Sequence, residues 1–429
     1  MIKKYLRQSW LMMRTEKLYS SLYIGGVALS IAAVMVLSMA LYANLAPLYP
    51  EYNRLNTVYF DCLSTSYKAP GDQTMQQQWW LSEWTVNNVI DSMKTIDKYA
   101  AFYKSDFDNR RNYSDENGNE VPLNVTYVNP GFFKVYDFDF VEGRPLSDDE
   151  FKSDSKVVIL SDLTAERLFG SPTGCTGRLI KINYLDYKVI GVVKEPSNIL
   201  ISSAMAYIPY STDRNILPYS NIIVGALIVT AIPKDGVTLQ QMADEFRHYF
   251  QPVITANKDI NLEVNTYDRP ISHYTRVFGG GFDDSPALGY FSIIALILLI
   301  VPAMNLSGMI VGRMEQRKQE MGIRKSFGAK RRTLLWQVIV ENMLLTLTGA
   351  IIGLVLSWIL INTIGSVIFG MIGNAELPDN TRLTPEMLFS PGIFGLVLIL
   401  TLVLNLLSSY IPVWWSLRHP IVESLNQKR

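Results

Sequence analysis

Four stretches of this chain, Ser21 to Leu45, Leu288 to Gly312, Met343 to Phe369 and Gly392 to Trp414, contain no Lys, Arg, Asp or Glu. Each is long enough to cross a bilayer as a helix, which takes roughly 20 residues at about 1.5 Å apiece. The expected fold is therefore an α-helical membrane protein with four transmembrane helices. Whatever lies between the spans must fold outside the lipid. Asn305, Asn362 and Asn405 fall inside the stretches and are tolerated there if they face neighbouring helices. Gly349 and Gly353 form a G-x-x-x-G pair that permits close helix approach, either between subunits or within one. A cleaved leader is the weaker reading of the first span: its apolar run is too long, and Ser38-Met39-Ala40 is a poor cleavage pattern buried within it.

Charge sets the orientation, because Lys and Arg beside short loops are retained on the cytoplasmic side. The chain has 39 basic and 39 acidic side chains, but they are segregated. Residues 1–20, 313–332 and 418–429 hold 16 basic and 4 acidic groups, whereas residues 47–287 and 370–391 hold 23 basic and 34 acidic. Both termini are thus expected in the cytoplasm. The predicted division is a cytoplasmic amphipathic helix at 1–20, span one at 21–45, an extracytoplasmic α+β domain at 47–287, and span two at 288–312. A basic cytoplasmic segment follows at 313–332, then span three at 343–369, an extracytoplasmic loop at 370–391, span four at 392–414 and a cytoplasmic tail at 415–429.

In the large domain between spans one and two, alternating or β-branched runs predict strands at Val121 to Val128, Lys156 to Leu160, Leu179 to Asn183, Lys188 to Val193, Ile222 to Thr230 and Asn261 to Asn265. Ser161 and Thr238 are placed to cap helices over "DLTAERLF" and "LQQMADEFRHYF". "LIKINYLDYKVIGVV" reads as a hairpin turning near Leu185-Asp186. Cys62 and Cys175 both fall outside, where a disulfide persists; a bond and two separately buried thiols are both open.

Motifs for chemistry are sparse. His248, His273 and His419 have no metal-ligand spacing, and there is no G-x-S-x-G and no H-E-x-x-H. Ser153 to Lys156 spells S-x-x-K without its companion motifs, which chance explains. Asp148-Asp149-Glu150 and Asp283-Asp284 read as solvated loop charges, with a cation site as the alternative. The basic patches adjoin the spans and carry no aromatic platform, so no nucleic acid is expected as a partner. Neither a cofactor nor a catalytic or metal-binding residue is expected.

"RMEQRKQEMGIRKSFGAKRR", Arg313 to Arg332, asks for more than the positive-inside rule and contact with anionic lipid. Met314 to Phe327 are mostly good helix formers, Gly328 is placed to end a helix, and Gly322 interrupts it at a cost of about 1 kcal/mol. A short basic helix with Met321, Ile323 and Phe327 available for contact has the makings of a plug for a cytoplasmic partner's groove.

"QRKQEMGIRKSFGAKRRTLLWQVIVEN" resembles the signature of permeases of the MacB/FtsX family of ABC transporters, with Arg317, Glu320, Gly322, Ile323, Arg324, Lys325, Gly328, Ala329 and Glu341 on matching positions. "FDFVEGRPLSDDEF", "VVILSDLTAERLFG" and "YKVIGVV" resemble the family's periplasmic core domain, and "IPVWWSLRHPIVESL" its closing signature. "GCTGRLI" departs from the family's usual P-x-G-K run. The resemblance implies an inner-membrane permease subunit. Its 313–332 segment docks on an ATPase, and nucleotide-driven closure is passed by mechanotransmission to the external domain for export. It implies Arg317, Glu320, Gly322, Ile323, Arg324, Lys325, Gly328 and Ala329 as the ATPase-coupling residues. The chain lacks G-x-x-x-x-G-K-[ST], whose amides cradle phosphates, so the ATPase is expected on a separate subunit and this chain is not expected to be an enzyme. A permease homo- or heterodimer, a periplasmic adaptor and an outer-membrane channel are further implied partners. An FtsX-like regulator of a cell-wall hydrolase, a peptide-sensing module and a lipoprotein-releasing permease are alternatives within the family. A membrane-tethered enzyme is the alternative outside it.

Overall fold

The computed structural model describes residues 15–60, 63–68, 74–104, 111–114, 120–213, 224–256, 270–278, 287–317, 323–324, 326–373 and 390–416. They fall into two compact units, one of helices and one built around a sheet over residues 44–285 with 381–383.

The helical unit contains Lys17–Leu45, Ala287–Gln316, Arg331–Gly373 and Pro391–Ser416. Among the described residues, three helical segments are long and apolar enough to cross a membrane: Lys17–Leu45, Arg332–Gly365 and Pro391–Tyr410. The third long helix begins at Arg331, well before the apolar stretch at Met343, because Leu334, Val338, Glu341, Asn342 and Leu345 already form a buried face at helical spacing. The second runs on to Gln316, so helix continues into the basic segment from both sides.

Gly349 and Gly353 are used within one chain. A Cβ added at Gly349 would lie 2.8 Å from Val27 Cβ, and one at Gly353 would lie 2.7 Å from the Ala28 carbonyl oxygen. The two glycines therefore let the first and third helices approach backbone to backbone. Tyr23 Oη lies 3.2 Å from Thr346 Oγ1, and Asn405 Nδ2 donates to the same hydroxyl at 3.2 Å, so Asn405 does face another helix. Asn362 does not. Its exposed amide donates to the Trp358 carbonyl of its own helix at 2.8 Å, which satisfies the group without a neighbour. Nothing is described of the Asn305 side chain.

In the sheet unit, the main sheet runs Ile271–Ser272, Val58–Phe60, Ile228–Pro233, Ile96–Lys104, Val125–Val128, Ala206–Pro209, Val157–Ser161, Leu185–Val193, Leu179–Ile182, Arg111–Ser114 and Glu120–Leu123, with Phe140–Gly143 also paired to Leu185–Val193. Two of the pairings are parallel, Val125–Val128 with Ala206–Pro209 and Val157–Ser161 with Leu185–Val193. The strand Val157–Ser161 shows why the sheet is central: Val158 and Leu160 enter one apolar cluster, while Val157 and Ile159 enter the other. Side chains alternate across a strand, so both faces are covered. Helix Leu239–Ala256 covers one face with Met242, Phe246 and Phe250. The turn of helix Phe132–Val135 covers the other with Phe132 and Val135. A smaller sheet orders Val224–Gly225, Thr74–Leu81 and Leu63–Lys68.

Ser161 caps helix Asp162–Phe169 by accepting from Thr164 N at 3.2 Å, and Thr238 accepts from Gln241 N at 3.3 Å, as the sequence predicts. The hairpin turns earlier than expected. Ile182 pairs with Leu185, leaving Asn183 and Tyr184 as the two-residue loop, both with positive φ (49° and 64°). That is the conformation a tight turn between twisted strands requires, and Asn tolerates it well. The expected strand at Asn261 to Asn265 lies outside the described residues.

Candidate functional site

Arg317, one residue past the second helix, ties three segments together. Its Nη1 lies 3.5 Å from Glu341 Oε2 on the third helix, and its Nε lies 3.8 Å from Glu16 Oε1 just before the first. Arg317 is therefore turned into the bundle rather than outward. Glu341 is buried, as its family-matching position in the apolar third helix would leave it.

The next described residues form one helical turn. Phe327 N donates to the Ile323 carbonyl at 3.1 Å and Ala329 N to the Arg324 carbonyl at 3.0 Å, across Gly328 at φ +89°. A six-to-one bond closing over a left-handed glycine is the Schellman arrangement, so Gly328 does end a helix. A Cβ at Gly328 would meet nothing within 4 Å, so the constraint is on backbone conformation and not on space. The Lys330 carbonyl then accepts from Thr333 N at 3.0 Å, which starts the third helix.

This turn separates two kinds of side chain. Arg324 folds back, its Nη1 donating to Gln337 Oε1 on the third helix at 3.1 Å. Ile323 and Phe327 point away, 50% and 89% exposed. They are four residues apart and so share one face. Both are among the residues that the sequence makes available for contact. Ala329 is half-buried. Glu320, Gly322 and Lys325 lie outside the described residues, as does Met321.

The other candidate residues are accounted for by structure. Asp148, Asp149 and Glu150 open helix Asp148–Lys152 behind a capping box formed by Ser147 and Glu150. Glu150 receives both Arg144 Nη2 at 2.7 Å and Nη1 at 2.8 Å, and these bonds hold its carboxyl at about 2. Ser153 Oγ donates to the Asp149 carbonyl at 2.7 Å, closing that helix. Cys175 is a buried free thiol donating to the Ser171 carbonyl at 3.2 Å; Cys62 and Asp283-Asp284 lie outside the described residues. Among the described residues no His, Cys, Asp and Glu side chains group to hold a metal ion.

A helical unit carrying an exposed apolar turn is joined in one chain to a two-faced mixed sheet. Residues 20–249 match the MacB-like periplasmic core domain and residues 292–421 the FtsX-like permease C-terminal region, and the chain belongs to the MacB/FtsX-type permease family. The macrolide export ATP-binding/permease protein MacB of Salmonella paratyphi A is 24% identical over 370 residues, covering 83% of this chain and 52% of that protein. The probable syringafactin export ATP-binding/permease protein SyfD of Pseudomonas syringae pv. tomato is 25% identical over 250 residues, covering 56% of this chain and 34% of that one. The chain thus spans about half or less of the length of these relatives. Among solved structures, the periplasmic region of MacB from Actinobacillus actinomycetemcomitans aligns at 18% identity over 52% of this chain and 91% of that one, with a TM-score of 0.37. The extracellular domain of the transporter YknZ from Gram-positive bacteria aligns at 18% identity over 48% and 97%, with a TM-score of 0.35.

Proposed function

We propose that this permease couples ATP hydrolysis on an ATPase subunit to movement of its extracytoplasmic domain, and thereby exports a substrate taken from the outer side of the inner membrane. In this reading the chain crosses the membrane four times with both termini inside, the 47–287 domain is extracytoplasmic, and the permease acts as a dimer. The observation that carries it is the exposed Ile323 and Phe327 face, set on a helical turn that Arg324 and Arg317 brace against the third helix. Burying an apolar side chain of that size contributes about 1.5–3 kcal/mol, enough to make the turn a docking element. The names of the relatives, both exporters, support the direction of transport. A periplasmic adaptor and outer-membrane channel complete the assembly in this reading.

Two measurements test it. Single cysteines at Asn117 and Asn380 should react with an impermeant thiol reagent on spheroplasts, and one at Lys330 should not; labelling at Lys330 from outside overturns the orientation. Replacing Ile323 and Phe327 by Ser should leave insertion normal and reduce recovery of the ATPase in pull-down by about tenfold or more. Unchanged recovery would remove the docking assignment.

A further inference from the structure

Asn44, the first residue of the sheet unit, meets a histidine from far along the chain. His273 opens helix His273–Phe278, directly after the strand Ile271–Ser272, and is only 4% exposed. Its Nε2 lies 2.7 Å from the Asn44 carbonyl oxygen, and its Nδ1 lies 2.9 Å from Tyr59 Oη. Asn44 is in the last turn of helix Lys17–Leu45. A carbonyl can only accept, so Nε2 carries the proton; in the neutral ring Nδ1 then accepts from the Tyr59 hydroxyl. Tyr59 in turn sits on the strand Val58–Phe60, which pairs with Ile271–Ser272. One ring therefore joins Asn44, the first residue of the sheet unit, to that edge of the sheet.

The turn after that helix is bolted down as firmly. Glu51, 2% exposed, takes Arg54 Nε at 2.8 Å on one oxygen, and Ser202 N at 2.9 Å and Ser202 Oγ at 2.7 Å on the other. Arg54 Nη1 donates to the Ala46 carbonyl at 3.3 Å, Tyr49 Oη donates to the Lys194 carbonyl at 2.8 Å, and Asp137 N donates to the Pro50 carbonyl at 3.0 Å. Arg54, Glu51 and Arg276 are the charged groups acting on His273. Burial first, then the Arg54 charge, lowers its pKa to about 4, so the ring is neutral and its hydrogen-bond polarity is fixed.

We infer that His273 is the positioning residue of the transmission path, its Nε2–H clasping the Asn44 carbonyl so that displacement of the first helix is delivered to the Val58–Phe60 edge of the sheet. Nothing in the family signature of the 313–332 segment points to it, and it acts through Asn44 and Tyr59 rather than on any substrate. The inference rests on the coupling reading above.

The test uses the full chain assembled with its ATPase in lipid nanodiscs. Amide hydrogen exchange of residues 58–60 and 228–233 is compared with and without a non-hydrolysable ATP analogue, alongside ATPase recovery and hydrolysis. Wild type should show a nucleotide-dependent difference. His273→Ala should lose about tenfold of it while ATPase recovery and hydrolysis stay at wild-type levels. His273→Gln, which keeps an N–H for the Asn44 carbonyl, should restore most of it. If His273→Ala fails to accumulate, Tyr59→Phe should still weaken the difference severalfold. A wild-type difference in His273→Ala or in Tyr59→Phe, no rescue by Gln, or loss of ATPase association in His273→Ala each overturns the clasp. Absence of any difference in wild type instead removes the coupling reading, and the clasp with it.

Discussion

The two ends of the first helix are held by different chemistry. At its C-terminal end the side-chain bonds of His273 and Glu51 are short: 2.7 Å from His273 to Asn44, 2.8 Å from Arg54 to Glu51, and 2.7 and 2.9 Å from Ser202 to Glu51. At its N-terminal end, Arg317 reaches Glu341 at 3.5 Å and Glu16 at 3.8 Å, and Glu16 is more than a third exposed. Beside Glu341, the buried amide of Asn342 has no hydrogen-bond partner for Nδ2 or Oδ1 among the described residues. A fully satisfied polar cluster is rigid, whereas a loosely paired one has other arrangements close in energy. The contrast is between an end fixed by satisfied bonds and an end whose pairing is adjustable.

The C-terminal end should therefore be the more costly to break. Glu51→Leu leaves Arg54 buried with its carboxylate removed, and such a change typically costs about 3–5 kcal/mol. Thermal unfolding of the full chain should show it as the largest loss of any variant named here. A loss no greater than that of Arg317→Ala would erase the distinction between the ends.

Acid should act on the same end. Folded His273 titrates at about 4 against an ordinary 6.5, so between those values the unfolded chain binds a proton that the folded one does not. Stability contributed by this group is intact above pH 6.5 and falls as pH drops to 4, by about 3 kcal/mol at most. Burial alone would raise Glu51, but the Arg54 charge and the Ser202 bonds outweigh it and hold the carboxyl below its usual value. Its contribution is thus lost at lower pH, as the folded carboxylate protonates. His273→Gln should abolish the first loss and keep the second. Melting temperature recorded against pH separates the two, and an unchanged slope between pH 6.5 and 4 would show that His273 is not the group responsible.

The sequence carried the apolar helices, the capped helices after Ser161 and Thr238, and the helix-ending role of Gly328, because each is written in local pattern. It could not carry partners made across long separations. Nothing near Arg317 says that it turns inward to Glu341, nor does anything near Arg324 say that Gln337 takes its guanidinium. His273 was seen only as a histidine without metal-ligand spacing; its partners Asn44 and Tyr59 are more than two hundred residues away. The hairpin turn was misplaced because "NYLD" offers two plausible loops, and the choice depends on cross-strand pairing. Gly349 and Gly353 were legible as a close-approach pair, but which helix approaches them is a tertiary fact.

At the N-terminal end of the first helix, Arg317→Ala removes two long ionic contacts and leaves Glu341 buried. Their length puts the expected loss at the low end for charge-assisted bonds, about 1.5 kcal/mol. Charge rather than shape should account for it, so Arg317→Lys should recover most of the stability. A loss of the size expected for Glu51→Leu would mean that the N-terminal end is as tightly locked as the C-terminal one.

The smallest expected effect has the opposite sign. A buried amide without hydrogen bonds is a net cost to the fold, and replacing it by an apolar side chain of similar size is neutral or stabilising. Asn342→Leu should therefore raise stability by up to about 1 kcal/mol, whereas Thr346→Val, which deletes the hydroxyl shared by Tyr23 and Asn405, should lower it. The pair is informative because the two residues are one turn apart on the same helix and both are buried. If Asn342→Leu destabilises the chain instead, Asn342 is engaged in the folded state and the N-terminal end of the first helix is less adjustable than its long ion pairs imply.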